Sequence, residues 1–238
     1  MTQTLLEQWV QRSSKKPIEA VSVTESAATG YIVTTVDKSD VPATSSPIQE
    51  VNKLYDQLPP NVILSTPEKE DIPRLKRLNS LLLPIPYPES FYKEIVSDLQ
   101  AQSLTLLAFW KGSTVSEDST LSKGQLIGAV RCRLLPSNGS PGSNGPMLYL
   151  STLVLLSPYR SLGIASHMLN VLIRRGVQEY GVTSIGAHVW DANTAALEWY
   201  HKRGFKEVGH EPEYYRKLNP QGAKIMSRQL SVLDLTGG

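Results

Sequence analysis

The stretch LYLSTLVLLSPYRSLGIASHMLNVLIRRGVQEYG, residues 148–181, holds residues that could bind an anion. A β-prone apolar run ends at Leu156, and Ser-Pro-Tyr-Arg-Ser-Leu-Gly-Ile-Ala-Ser leads straight into an amphipathic helix. Leu162, Met168, Leu169, Leu172, Ile173 and Val177 are spaced to face a sheet. A glycine-containing turn at a helix start leaves backbone N–H groups without intrahelical partners and aims the positive end of the helix dipole outward. That combination suits a phosphate or pyrophosphate. Gly163 lets a ligand approach the backbone, and small Ala165 and Ser166 extend the open face. The chain has neither the G-x-G-x-x-G dinucleotide fingerprint nor the lysine of a P-loop here. On this segment alone, an ordinary strand-turn-helix explains the glycine equally well.

Elements able to hold such a turn alternate from Asn61 onward. VILST (62–66), LTLLAFW (104–110), LIGAVRCRLL (126–135) and MLYLSTLVLL (147–156) predict strands, and EDIPRLKRLNSLLL (70–83) predicts a helix. PSNGSPGSNGP (136–146) predicts a flexible hairpin loop. The order predicts a mixed sheet covered by helices. Composition shifts near residue 60: between Leu6 and Leu54 there is no Leu, Phe or Met. Such a stretch cannot bury enough apolar area to offset an ordering cost of about 1–2 kcal/mol per residue. Residues 11–53 are therefore predicted to be mostly disordered. The chain divides into an extension (1–60), a domain (61–230) and a short tail (231–238).

The 238 residues are 40% hydrophobic and 19% charged, ordinary for a globular protein. A net charge of +2 is too small to make nucleic acid or an anionic membrane the main partner. The single cysteine, Cys132, rules out an intrachain disulfide and a cysteine-built zinc site, and no metal is expected. It also points to a reducing compartment. No apolar run reaches the roughly 18 residues of a spanning helix, and no signal-peptide core follows Met1. The expectation is a soluble cytoplasmic protein with nuclear entry left open.

Arg160-Ser161-Leu162-Gly163-Ile164-Ala165 resembles the R/Q-x-x-G-x-G/A motif of the GNAT-type N-acetyltransferases, whose loop cradles the pyrophosphate of acetyl-CoA. TSIGAHVWD (183–191) follows as the next strand, and NTAALEWYHKRGF (193–205) resembles the family's N-x-x-A-x-x-x-Y-x-x-x-G-F ending. LKRLNSLLLPIPYPESFYKEIV (75–96) and EYYRKLNPQGAKIMSRQL (213–230) resemble the NatE, or San-type, protein N-terminal acetyltransferases. The resemblance spans roughly residues 61–230. It implies an α/β (α+β) fold: a mixed, mostly antiparallel sheet with a splayed strand pair, flanked by helices. It implies acetyl-CoA as cofactor, bound by Leu153, Val154, Leu155, Arg160, Ser161, Leu162, Gly163, Ile164, Ala165, Ser166, Asn193, Ala196, Tyr200 and Lys202.

The same resemblance implies that Tyr149 and His188 are a catalytic pair working through an ordered water. Substrate contacts carry over to Leu83, Pro84, Ile85, Tyr87, Ser151, Tyr214, Tyr215 and Leu218. Two positions depart from the subfamily: Leu83 stands where it has an aromatic residue and Ser151 where it has methionine. Chemistry fits the roles, because acetyl transfer needs a neutral amine and donors for developing charge. An α-amine, with a pKa of about 7.7–8.0, is on the order of a tenth neutral near pH 7, against a few parts in ten thousand for lysine. The function implied is acetylation of N-termini that begin with Met plus a hydrophobic residue, by direct transfer in a ternary complex. Lysine or small-amine acetylation is one alternative; a non-catalytic acetyl-CoA-binding subunit of a larger complex is another. The resemblance also implies links to a NatA-type complex, the ribosome and sister chromatid cohesion.

The opening MTQTLLEQWV lies outside the expected domain. Gln3, Leu6, Trp9 and Val10 resemble a degenerate sliding-clamp-binding peptide in which Leu6 and Trp9 would plug an apolar pocket. Val10 replaces the second aromatic residue of that motif. A short amphipathic helix that docks on its own domain, on a NatA-type partner or on nothing is the simpler reading.

Overall fold

The computed structural model describes residues 58–112, 123–136, 145–231 and 234. The motif at Gln3, Leu6 and Trp9, the stretch 11–53, most of the loop 136–146 and most of the tail lie outside the described residues. Seven strands form one sheet: β1 (Val62–Ser65), β2 (Thr105–Trp110), β3 (Gln125–Leu135), β4 (Met147–Leu155), β5 (Ser184–Trp190), β6 (Lys206–Glu211) and β7 (Ala223–Gln229). Their spatial order is β1-β2-β3-β4-β5-β7-β6. Every neighbouring pair is antiparallel except β4 and β5.

Among the described residues five α-helices cover the two faces: α1 (Ile72–Leu82), α2 (Glu89–Ser97), α3 (Leu99–Ser103), α4 (Ile164–Tyr180) and α5 (Thr194–His201). The first two lay Leu75, Leu78, Tyr92 and Ile95 against Leu107, Phe109 and Ala129 of the sheet. On the other face α4 buries Met168, Leu169, Leu172 and Ile173 against Leu106, Val130, Leu148 and Ile185. Leu162, grouped with that stripe by spacing, lies before the helix begins and is 44% exposed. Gly163 (φ 78°) opens α4 and Gly181 (φ 63°) closes it. Both are left-handed conformations that suit glycine.

The ladder between β3 and β4 holds one irregularity. Cys132 pairs with Leu150 and Arg131 with Thr152, so Ser151 is an extra residue on β4. A bulge reverses the face that later residues meet. Leu148 and Leu150 before it join the core under α4, whereas Val154 after it joins the core under α1 and α2. Parallel pairing with β5 covers Met147–Ser184, Leu148–Ile185 and Tyr149–Gly186 and stops there. Beyond this point β4 stays with β3, and β5 with β7.

Leu172 is fully buried in the α4 core. Truncation of such a leucine removes transfer free energy and leaves a cavity, so Leu172→Ala should lower unfolding free energy by about 2–5 kcal/mol. Leu162→Ala, at the exposed turn, should stay within about 0.5 kcal/mol. Urea denaturation of the two variants separates them, and equal losses would contradict the placement of the core.

Candidate functional site

Tyr149 and His188 stand on β4 and β5 where the two strands part. The Tyr149 Oη lies 3.0 Å from His188 Nδ1 and 2.9 Å from the Tyr214 Oη. Tyr214 comes from the connection between β6 and β7 and stacks flat on the imidazole, with ring centroids 4.1 Å apart and planes 7° apart. Tyr215 packs edge-on to Tyr214, and its hydroxyl donates to the His188 carbonyl at 3.4 Å. Leu218 is held in the same connection by its N–H donating to the Tyr215 carbonyl. At 3.0 Å the pair is in direct contact, so no water fits between Oη and Nδ1. A water serving both groups would reach them from another side.

The cluster is uncharged at neutral pH. Burial holds the His188 imidazole down to about 4. Burial, with Tyr214 beside it, pushes Tyr149 well above its ordinary value. Burial also raises Tyr214 and Tyr215. The desolvated cluster therefore offers hydroxyl donors and a neutral imidazole without a formal charge.

A second wall comes from the segment between α1 and α2. Pro84, Pro86 and Pro88 fix the backbone there and exclude further helix. Tyr87 donates its hydroxyl to the Ser151 carbonyl at 2.6 Å and accepts from Thr152 Oγ1 at 3.0 Å. Ile85 is half-buried and Pro84 is exposed. Leu83, expected among the substrate contacts, packs against the α1–α2 core. The Ser151 hydroxyl donates to the Arg131 carbonyl at 3.0 Å.

The turn 160–163 fits a diphosphate. Arg160 Nε donates to the Leu155 carbonyl at 3.1 Å, which ties the turn to the end of β4. Ser161 (φ 63°) and Gly163 (φ 78°) are both left-handed, and α4 begins with no side-chain cap and no acidic residue in its first turn. The leading N–H groups of α4 and its positive dipole end are thus available to an anion. Ile164 is fully buried, so its backbone alone can take part. Ser166 does not extend an open face as expected: it is buried, and its hydroxyl accepts from the Arg203 guanidinium. That guanidinium lies 3.8 Å from the Trp199 ring centroid.

The remaining expected cofactor residues are spread out. Leu153, Val154 and Leu155 lie on β4 beyond the bulge, and Leu162 lies in the exposed turn. Asn193 caps α5 by accepting from the Ala196 N–H at 3.1 Å. Tyr200 is buried edge-on against Phe205. Lys202 is exposed at the far end of α5, about 13–14 Å along the axis from Asn193 at 1.5 Å per residue. Sequence reasoning missed Phe91, Arg131 and Arg203. The one available signal was charge in an apolar strand, the two arginines of LIGAVRCRLL. Among the described residues no group of three or more His, Cys, Asp or Glu side chains could hold a metal ion.

The acetyltransferase (GNAT) family pattern matches residues 73–205, more than half of the chain. The chain belongs to the GNAT acetyltransferase family. N-alpha-acetyltransferase 50 of Danio rerio is 32% identical over 160 residues, 67% of this chain and 83% of that protein. The probable N-acetyltransferase san of Drosophila melanogaster is 32% identical over 160 residues, 67% of this chain and 76% of its own length. The solved structure of Arabidopsis thaliana Naa50 with the bisubstrate analogue CoA-Ac-MVNAL superposes with a TM-score of 0.57 at 26% identity. It covers 71% of this chain and 99% of that one. The mostly antiparallel seven-stranded sheet with one parallel pair is the GNAT fold.

The buried imidazole makes stability depend on pH. Between about 4, where folded His188 titrates, and about 6.5, where it titrates unfolded, the unfolded chain binds the extra proton. This contribution is fully present above pH 6.5 and is lost as pH falls towards 4. The loss should be on the order of 3 kcal/mol. His188→Gln should flatten this part of the profile in urea titrations at pH 4–7, and an unchanged slope would show that His188 is not the group responsible.

Proposed function

We propose that this GNAT protein transfers acetyl from acetyl-CoA to the α-amino group of proteins whose first residue is methionine and whose second is hydrophobic. The observation that carries the reading is the neutral Tyr149–His188–Tyr214 cluster at the parting of β4 and β5, beside the Tyr87 wall. A histidine held near 4 is a weak base, so the site favours an acceptor amine that is already partly neutral. That describes an α-amine better than a lysine. Pro84, Ile85 and Tyr87 offer an apolar surface suited to methionine. The relatives named N-alpha-acetyltransferase 50 and san support the class, and the Arabidopsis analogue carries a peptide that begins Met-Val.

Acetyl-CoA supplies an activated thioester. The backbone N–H groups of Gly163–Ser166 would hold its diphosphate, and the edge of β4 from Leu153 to Leu155 would line the gap towards Tyr149. The Tyr149 hydroxyl can donate a hydrogen bond, and the neutral His188 imidazole can accept a proton, with direct contact to pass it between them. Tyr87, Tyr214 and Tyr215 exclude water around them. Burial pushes the Cys132 thiol far up, so it cannot serve as a thiolate acetyl carrier. This favours direct transfer in a ternary complex over an acetyl-cysteine intermediate.

The test is acetylation of a peptide panel by the purified full chain. Met-Leu and Met-Val peptides should be the best acceptors, and kcat/KM should rise with pH up to the α-amine pKa of about 7.7–8.0. Tyr149→Phe and His188→Ala should each lower kcat by about 10²-fold or more. Faster acetylation of lysine side chains in amino-blocked peptides would overturn the reading.

We further propose that the partners are a NatA-type assembly and the ribosome, and that Gln3, Leu6 and Trp9 can engage a sliding clamp. The cytoplasm, with access to the nucleus, is the proposed compartment; the buried free thiol of Cys132 suits it. Deletion of residues 1–55 should keep kcat/KM on Met-Leu peptide within about twofold. Leu6→Ala with Trp9→Ala should abolish capture on immobilised clamp, because buried anchors dominate such motifs. Collapse of activity on deletion would mean that the extension is part of the site.

A further inference from the structure

Arg131 sits in the middle of β3 and is 2% exposed. Its Nη1 donates to the Phe91 carbonyl at 3.0 Å, and its Nη2 meets the Glu94 carboxylate at 2.9 Å. Glu94 also takes Arg133 Nη2 through both oxygens, at 3.1 and 3.2 Å. The charge of Arg131 is therefore compensated and its side chain clamped. The guanidinium lies 4.2 Å from the centroid of the Phe91 ring. On Phe91 lies Tyr87, with centroids 3.8 Å apart and planes 5° apart.

The contacts close on themselves. Tyr87 donates to the carbonyl of Ser151, the bulge residue, and the Ser151 hydroxyl donates to the carbonyl of Arg131. Three planar groups are thus layered from the core to the acceptor wall, and both ends are pinned to the bulge two residues from Tyr149. A guanidinium is planar and weakly hydrated, so it can pack face-on against a ring and still keep its ion pair; an ammonium is a compact, strongly hydrated charge without that flat face.

We propose that Arg131 is a positioning residue for the acceptor: through the Arg131–Phe91–Tyr87 stack it fixes the ring that walls the pocket for the first residue of the peptide. This rests on the N-terminal acetyltransferase reading, which makes Tyr87 a pocket wall. Arg131 touches neither the Tyr149–His188 pair nor the 160–166 turn. Its loss should therefore weaken acceptor binding and leave donor binding and the transfer step nearly intact.

The experiment compares wild type, Arg131→Lys, Phe91→Leu and the double variant as full chains, measuring kcat and separate KM values for Met-Leu peptide and acetyl-CoA. Arg131→Lys should raise the peptide KM about tenfold while kcat and the acetyl-CoA KM stay within about twofold. Phe91→Leu should do the same, and the double variant should do little more than the worse single one, because both break one stack. Amide exchange at Leu83 and Phe91, whose N–H groups donate to the Asn79 and Pro88 carbonyls at the two ends of the Tyr87 segment, should quicken in all three variants and stay unchanged in β5 and β7. An unchanged peptide KM in the single variants overturns the proposal. So does a parallel rise in both KM values, which marks a merely structural arginine. Should Arg131→Lys fail to fold, Phe91→Leu carries the test, since it leaves the Arg131–Glu94 pair in place. A wild type that acetylates no N-terminal peptide defeats the functional reading instead; exchange at Leu83 and Phe91 then decides the stack, and unchanged exchange overturns it.

Discussion

The single extra residue at Ser151 is the constraint on which the site depends. A parallel strand pair inside an antiparallel sheet would zip along its length if nothing stopped it. Here pairing between β4 and β5 ends at Tyr149 and Gly186, immediately before the bulge. The bulge bends β4 and reverses its faces, so β4 can keep its ladder to β3 while leaving β5. It also takes the Ser151 carbonyl out of the regular ladder, and Tyr87 takes it up. One insertion therefore opens the gap, exposes the last paired tyrosine to it and supplies the anchor for the opposite wall.

Charge is handled differently on the two sides of that gap. Around Tyr149 and His188 the groups are aromatic, hydroxylic and neutral, because burial without a counter-charge disfavours every ionised form. Beneath the Tyr87 wall two arginines are buried to different degrees, and Glu94 meets both. An unpaired guanidinium at the Arg131 position would carry a desolvation penalty of several kcal/mol; Glu94 and the Phe91 carbonyl offset it. The positive charge therefore stays in the supporting layer, out of reach of an incoming ammonium group that it would repel.

Much of this was legible in the sequence. The apolar runs predicted β1 to β4, most clearly the central β2 to β4, which bury both faces, and the family resemblance placed β5; glycines bracketed α4 where left-handed turns were needed. Residues 70–83 resolve into a short 3-10 turn followed by α1, a difference confined to the first turn. By contrast β6, KEVGHE, is an exposed edge strand whose apolar signal is one valine, 62% exposed. The bulge was illegible because it is defined by the register of the partner strand, not by residue type. Ser166 misled for a related reason: a small polar residue at a helix start reads as open, but Arg203 reaches it from beyond α5. The contact of Tyr214 with His188 joins residues far apart in the chain and has no local signature.

The two halves of the site rest on different chemistry, and this decides which half sequence change can reshape. The proposed anion turn would work through backbone N–H groups and the left-handed conformations at Ser161 and Gly163, so most side chains there can vary provided the conformation survives. The proposed acceptor wall is built from side chains: Tyr87, Phe91 and the ring of Tyr214. A serine at the bulge with an arginine opposite fixes that wall by a hydrogen bond and a stack, where a longer apolar residue at the bulge could act only by filling space. On the proposed reading the acceptor half is the one that side-chain changes can reshape while the donor turn stays as it is, and Ser151 with Arg131 holds its wall.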